Sequence, residues 1–524
     1  MNKNINHKQN KSLGFIKLLT PLMLAGSVVM VGGTSVQALQ FNFTYAPGTT
    51  LNQMLGYEMA GRYWSNYLAD DVTVNIFIEP TNMLPTNVIG GAIPGVTSQS
   101  FTTVSQALQA DATSLTDQKA VASIYNRCNS TSTFVQQGTG GYVQNNCTGY
   151  NAYARHYNGG SFNTNYTYGV NNINLTRANA KALGLIDAHN TGYDAYILLS
   201  NLGNVTQSLS WNYFSATNSS NTIPTSTLDF FSVAVHELTH TLGFISGMDS
   251  PEYANLLKTT STLSGADMSK YGYLMDMFRL SGNSLNNLGI PDISPGVDTM
   301  LSIDSGTSKL ADLSSGNTTF GGDGSQGSHW KKDATYDGIM EASLSAGGTR
   351  KLVTNNDLTV LDALGWNLKQ NNQDLVSIFN SAKSGLASKM GVTTSWMDAN
   401  TTQAALRLTP QYIDANNNGY DDRGESLNKM INSSGTYNWG WNGYWWGWNG
   451  YWWGWNGYWQ NTANLTTDGF WQNFAWETLD EYEYGNSDHL SGSSQAQSVP
   501  EPTTIFGLLG VALMGIAARL KRHH

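Results

Sequence analysis

The sequence predicts an α+β fold, and three observations carry that prediction. Between residues 56 and 246, segments of helical and alternating periodicity follow one another as helix, strand, strand and helix. The last of these helices carries two histidines four residues apart. The stretch beyond it is loop-rich until a compact helix signal at 354–366. Helices segregated from a small set of strands in this order fit an α+β layout better than a regular βαβ succession.

In chain order, residues 56–71 (GYEMAGRYWSNYLADD) place apolar and aromatic side chains at helical spacing, and 72–80 (VTVNIFIEP) alternate as a strand. Residues 81–170 are rich in Thr, Ser, Asn and Gly, with one helical interval at 105–125. A short strand running into a helix is expected at 172–185, and a buried strand at 194–202 (DAYILLSNL). The segment 226–246 (STLDFFSVAVHELTHTLGFIS) reads as a long helix capped by Ser226 or Thr227. Residues 247–328 contain one apolar-aromatic segment, YLMDMFRLSG, among loops. In 354–366 (TNNDLTVLDALGW), Asn355 or Asn356 is the expected cap and Gly365 the stop. The first domain is placed at 39–367, and a helical region with a loop of calcium-binding pattern at 368–435.

The ends read as addresses. Lys3, Lys8, Lys11 and Lys17 precede the apolar run LLTPLMLAGSVVMVGG, and Val36 and Ala38 stand at small-residue cleavage positions. That is the layout of a secretory signal peptide spanning 1–38, with signal peptidase as the processing partner; a buried N-terminal helix is the competing reading. At the other end, 496–524 hold Val499-Pro500-Glu501-Pro502, an apolar run over 503–520 of about bilayer length, and the cations Arg519, Lys521 and Arg522. This order resembles the PEP-CTERM sorting signal of Gram-negative bacteria. The resemblance implies export, a transient inner-membrane anchor, cleavage near Pro-Glu-Pro by an exosortase, and delivery to the cell surface or outside. An ordinary tail anchor is the alternative.

Composition agrees with export. Charged residues make up only 12% of the 524, which is low for soluble domains, and Gly, Asn, Ser and Thr take their place. With a formal net charge of −10 and no long basic run outside the termini, nucleic acid is not an expected partner. The two cysteines, Cys128 and Cys147, are expected to form one disulfide in an oxidising compartment, with a reactive thiol as the weaker reading.

The chemistry is concentrated in HELTH. His236 and His240 fall on one face of a helix and can point two imidazoles at one Zn²⁺. Glu237 stands beside them, placed to take a proton from an activated water and pass it to a leaving amine. The metal in such a site lowers the pKa of water to about 7 and polarises a carbonyl, the chemistry of peptide hydrolysis. A catalytic zinc takes three protein ligands, and the third is not local. Ser246 stands three residues after Gly243, where the extended pattern has a histidine. Asp249 lies near, Glu252 and Asp276 are the carboxylate candidates of a thermolysin-type arrangement, and His329 is the remaining histidine in a suggestive context.

HELTHTLGF, a downstream SHW followed by GIM, and LTVLDALGW together resemble the leishmanolysin-like branch of the metzincins, over roughly residues 40–367. The resemblance implies a twisted sheet with an active-site helix and a Met-turn, and zinc endopeptidase activity on protein or peptide substrates. It implies His236, His240 and His329 as zinc ligands, Glu237 as catalytic base, Gly243 as the turn ending the helix and Met340 as the Met-turn residue. This chain departs from the eukaryotic members in its low cysteine count and in the short stretch left for a pro-segment after residue 38, so latency by a cysteine switch is not expected. Glu341, Ala342 and Ser343 follow the methionine, so no tyrosine is assigned to steady an oxyanion.

Two further features lie downstream. DANNNGYDDRGE at 414–425 matches a calcium loop, with Asp414, Asn416, Asn418, Asp422 and Glu425 as side-chain ligands, Tyr420 offering its carbonyl, and Gly419 at the sharp turn. An Asn/Asp/Gly-rich turn without Ca²⁺ matches the same pattern. At 436–460, WGWNGYW recurs three times at period seven, followed by an acidic spacer at 461–495. The repeat is read either as an expanded low-complexity insert or as an aromatic surface for an extracellular polysaccharide. Two functions compete with the metzincin reading: a zinc protease with a carboxylate third ligand, and an inert surface or matrix protein acting through the repeat.

Overall fold

The computed structural model describes residues 39–45, 49–81, 87–126, 135–136, 142–143, 148–158, 161–203, 205–259, 269–286, 289–370, 373–402 and 475–479. The termini, Cys128 and Cys147, the calcium-pattern loop at 414–425 and the tryptophan repeat lie outside them.

The main layer is a mixed sheet of six strands in the order Gln40–Tyr45, Thr73–Thr81, Ala195–Ser200, Val88–Pro94, Ala475–Leu479 and Ser343–Leu344. The first three run parallel, with Phe43 opposite Ile76 and Ile76 opposite Ala195. Parallel neighbours need a crossover, and helix Leu51–Ser65 supplies the one between the first two strands. Val88–Pro94 then pairs antiparallel with Ala195–Ser200. Val74, Ile76 and Ile78 alternate toward the core and are fully buried.

Helices Leu51–Ser65, Phe230–Leu242 and Leu375–Met390 share one hydrophobic core with this sheet. Tyr57 meets Phe230 edge-on at 5.6 Å, and Tyr63 meets Phe231 at 5.2 Å. Two buried tryptophans tie the histidine-bearing helix to its neighbours: the Trp64 indole donates to the Val235 carbonyl and the Trp366 indole to the Leu242 carbonyl, at 3.2 and 2.8 Å. A small antiparallel meander (Arg279–Ser281, Thr299–Leu301, Ala311–Leu313) carries the chain back toward the core. The architecture is thus mixed helix and sheet, as expected of an α+β chain.

Element boundaries differ from the sequence reading where capping chemistry was misjudged. The first helix begins at Leu51 because Thr50 and Gln53 form a reciprocal capping box. The long helix begins at Phe230; Asp229 caps it, while Thr227–Asp229 form a short strand and Ser226 takes a positive φ of 74°. The helix in 354–366 spans Asn355–Ala363. Its cap is Thr354 rather than either asparagine, because Asp357 accepts from the Thr354 amide and hydroxyl. Residues 475–479, read as part of the spacer, form a strand.

Candidate metal centre

Helix Phe230–Leu242 is buried along its whole length, so its histidines point into protein. Its entrance is fixed by charge. Asp229 accepts from the Ser232 amide and hydroxyl and is gripped by Arg350, whose Nε and Nη2 donate at 3.0–3.1 Å. Both partners of that ion pair are buried. Its exit is fixed by Gly243, whose φ of 127° is open to glycine and strained for other residues.

His236 and His240 stand together as their spacing predicts, and His329 joins them from the far side of the chain. Their ligand atoms lie within 4.8 Å of one another. The Nε2 of His236 is 3.1 Å from that of His240 and 3.3 Å from that of His329. All three residues are at most 1% exposed.

Each histidine's other ring nitrogen faces a carbonyl. Nδ1 of His236 lies 2.7 Å from the Ile339 oxygen, Nδ1 of His240 lies 2.7 Å from the Phe244 oxygen, and Nδ1 of His329 lies 3.2 Å from the Gln326 oxygen. A carbonyl only accepts, so Nδ1 carries the proton in all three and Nε2 presents its lone pair. Burial favours the neutral rings. It lowers the His236 pKa to about 4, and burial with the neighbouring His236 and His329 charges holds His240 well below the ordinary imidazole value.

Three inward lone pairs with no proton among them suit a cation. A tetrahedral zinc with nitrogens at about 2.0–2.1 Å sets those nitrogens about 3.3–3.4 Å apart, close to the separations observed. The donor set therefore fits Zn²⁺, and the carbonyls behind the rings supply the orienting partners that zinc histidines use.

Three of the other third-ligand candidates, Ser246, Asp249 and Asp276, are committed elsewhere. Ser246 donates to Asp276 at 2.6 Å, and Asp276 also accepts from the Gly247 amide and from Arg279. Asp249 accepts from the Gly327 and Ser328 amides at 2.6 and 2.9 Å and from the Ser328 hydroxyl. Asp249 holds the loop that delivers His329 directly, and Asp276 acts on it through Arg279, which donates to the Gly327 carbonyl. Burial raises the Asp249 pKa to about 6, against those hydrogen bonds. For Glu252 the structure describes only the backbone, in helix Pro251–Thr259.

Behind His329, Trp330 and the Gly338–Met340 turn are latched by Asp357. The Trp330 amide donates to the Met340 carbonyl at 2.9 Å. Asp357 accepts from the Trp330 indole and the Ile339 amide at 2.8 and 2.9 Å. The same turn supplies the carbonyl that orients His236. Met340 is fully buried.

Glu237 is also fully buried, and strand Val88–Pro94 passes close against it. A Cβ added to Gly90 would stand 2.5 Å from Glu237 Oε1. Sequence reasoning missed Asp229, Arg350, Asp357 and Gly90, and it weighed Asp249 only as a ligand and not as the group that holds the His329 loop. Two carried a signal: Asp357 follows Thr354 at capping-box spacing, and Gly90-Gly91 within an apolar strand marks a close backbone approach.

Comparison with known proteins adds one match: a model described as the PEP-CTERM protein-sorting motif covers residues 498–522. No curated protein and no solved structure matches the chain. The motif marks a bacterial, exported protein sorted at the cell surface, with an exosortase as processing partner. Among the described residues no helix is long and apolar enough to cross a membrane, and the apolar run at 503–520 lies outside them.

Proposed function

We propose that the protein is an exported zinc-dependent endopeptidase of the leishmanolysin-like metzincin type. One observation carries the reading: three buried imidazole Nε2 atoms converge, each with its Nδ1 committed to a carbonyl, and a buried glutamate follows the first of them in sequence. His236, His240 and His329 hold the ion. Zinc, when bound, supplies Lewis acidity toward a peptide carbonyl and acidifies water. Glu237 takes the proton from the attacking water and returns it to the leaving amine nitrogen. Asp357 and Asp249 act through the histidines, fixing the Met340 turn and the His329 loop.

Of the two carboxylates of the thermolysin-type alternative, Asp276 is engaged in hydrogen bonds away from the histidines, and the Glu252 side chain lies outside the described residues. A calcium-loaded loop at 414–425 and a polysaccharide-binding repeat at 436–460 remain parts of the proposal that rest on sequence.

The test is zinc content of the purified exported chain beside His329→Ala, with casein hydrolysis read in parallel. One zinc per wild-type chain, sharply reduced in the variant together with hydrolysis, supports the assignment. Zinc and hydrolysis retained in the variant remove His329 from the site. A wild-type chain that binds no zinc removes the protease reading.

A further inference from the structure

The sheet order contains an unexpected insertion. Ala475–Leu479 lies between Val88–Pro94 and Ser343–Leu344. It runs antiparallel to the first, pairing Ala475 with Ala92, Trp476 with Gly91, Glu477 with Gly90 and, across a register shift, Thr478 with Val88. It runs parallel to the second, pairing Ser343 with Thr478 and Leu344 with Leu479.

Neighbouring strands are about 4.8 Å apart, so without this segment the two flanking backbones would border a slot about 10 Å wide, open for one extended peptide. Both walls of the slot belong to the candidate centre. Gly90 is the residue that closes against Glu237, and Ser343 follows three residues after Met340. A strand paired on both sides by its main chain is bound largely without regard to side-chain identity, as in strand-addition recognition of peptides.

The geometry points to Ala475–Leu479 as an intramolecular occupant of the peptide slot, a strand of the chain's own C-terminal region that blocks access to the centre until it is displaced or cut away. The reading of this slot as a substrate slot rests on the endopeptidase function proposed above. The occupant's place along the chain gives the block a definite logic. The strand ends at Leu479 and the sorting motif begins at residue 498, so cleavage at Pro500–Pro502 leaves the strand attached to the catalytic part. Sorting alone therefore does not open the slot. Opening follows from a hydrolytic cut between residues 403 and 474, with water added across the broken peptide bond, or from competition by a better peptide.

The experiment compares the full exported chain with Trp476→Pro/Glu477→Pro, which removes two main-chain donors from the strand without touching the histidines. Hydrogen exchange at residues 343–344, whose strand pairing among the described residues is with 478–479 alone, reads the docking directly, and residues 88–89, beyond the pairing with Ala195–Ser200, read it from the other wall. Slow exchange in the wild type, rising at least ~10-fold in the variant, is expected if the strand fills the slot. Restoration of slow exchange by a synthetic peptide of residues 473–481 shows that the variant is folded and the slot intact. Fast exchange at 343–344 in the wild type, which needs no variant, overturns the docking. Unchanged exchange in the variant overturns it as well.

Casein hydrolysis reads the block. A several-fold faster rate in the variant supports it, and equal rates despite lost protection overturn it. No hydrolysis by either chain, with zinc bound or absent, counts against the endopeptidase function, while exchange still decides whether the strand is docked.

Discussion

At the scale of single residues, the proposed function divides holding an ion and moving a proton between different side chains. The three histidines face inward through Nε2 and are braced through Nδ1, whereas Glu237 follows His236 on the helix and lies against Gly90. Glu237→Gln keeps the shape and removes the base. It is expected to retain zinc and to lower casein hydrolysis by about 10²–10⁴-fold, the usual contribution of a positioned acid–base group. A variant that hydrolyses casein at the wild-type rate would take the base role away from Glu237. Asp357 is the complementary case, a carboxylate that acts only through others. It accepts from Trp330, Ile339 and Thr354 in a buried pocket, and burial raises its pKa despite those donors. Asp357→Ala leaves those donors unpaired and is expected to cost about 2–4 kcal/mol of stability, from buried donors at ~1–3 kcal/mol each partly relieved by relaxation. Chemical denaturation measures this. A loss below the range of a surface substitution would show that the Met340 turn holds without it.

At the scale of elements, the histidine pair was legible because helical spacing is local: four residues bring His236 and His240 to one face whatever the rest of the chain does. What starts that helix was not legible. Ser226 and Thr227 are good caps by type, yet Asp229 does the capping because Arg350, 121 residues away, neutralises it in the core. No window of sequence contains that pair. Arg350→Ala leaves Asp229 buried without its cation, and a loss of about 3–5 kcal/mol is expected for breaking a buried pair from one side. A midpoint shift in urea measures it, and a near-neutral result would mean that water reaches Asp229. Strand Val88–Pro94 offers a sharper test of positioning. Gly90→Ala puts a methyl 2.5 Å from Glu237 Oε1, so the carboxylate or the strand must move. Hydrolysis is expected to fall by about 10²-fold while zinc content and the unfolding midpoint stay near wild type, since misplacing a reacting group by about 1 Å has that order of effect. Unchanged hydrolysis would place Glu237 outside the reaction or show that its side chain swings aside freely.

At the scale of the whole molecule, the centre is an assembly of distant segments: the helix at 230–242, the loop ending at His329, the turn at 338–340 and the strand at 88–94. The sequence brought His329 forward through the count of ligands and the family resemblance. It did not show how Asp249 delivers the loop, nor that the spacer contributes a strand, because main-chain pairing leaves little trace in side-chain pattern. The same long-range assembly leaves a cluster of carboxylates where the helices at 101–111, 115–125 and 355–363 meet. Asp70 and Asp111 both accept from Asn367, and Asp362 accepts from Ser114. Burial and the nearby charges of Asp70, Asp117 and Asp362 raise Asp111 to about 6; burial and the charges of Asp117 and Asp70 raise Asp362 to about 6; burial also raises Asp70. Lys369 lies within the field of Asp70, and burial lowers its own pKa. An aspartate raised in the folded state holds its proton more tightly there than in the unfolded chain, whose value is about 3.9. The stability it contributes is therefore fully present below about pH 4 and is lost as pH rises to about 6, because the unfolded chain ionises first. Asp111→Asn removes one such proton and keeps an acceptor for Asn367. The variant is expected to match the wild-type melting temperature near pH 4 and to exceed it above pH 6. Any effect of pH on zinc retention is common to both chains and cancels in the difference. Melting curves of the two proteins at pH 4, 5, 6 and 7 decide the matter: a difference that stays constant with pH would mean that Asp111 ionises in the fold as it does in the open chain, and that the cluster is already solvated.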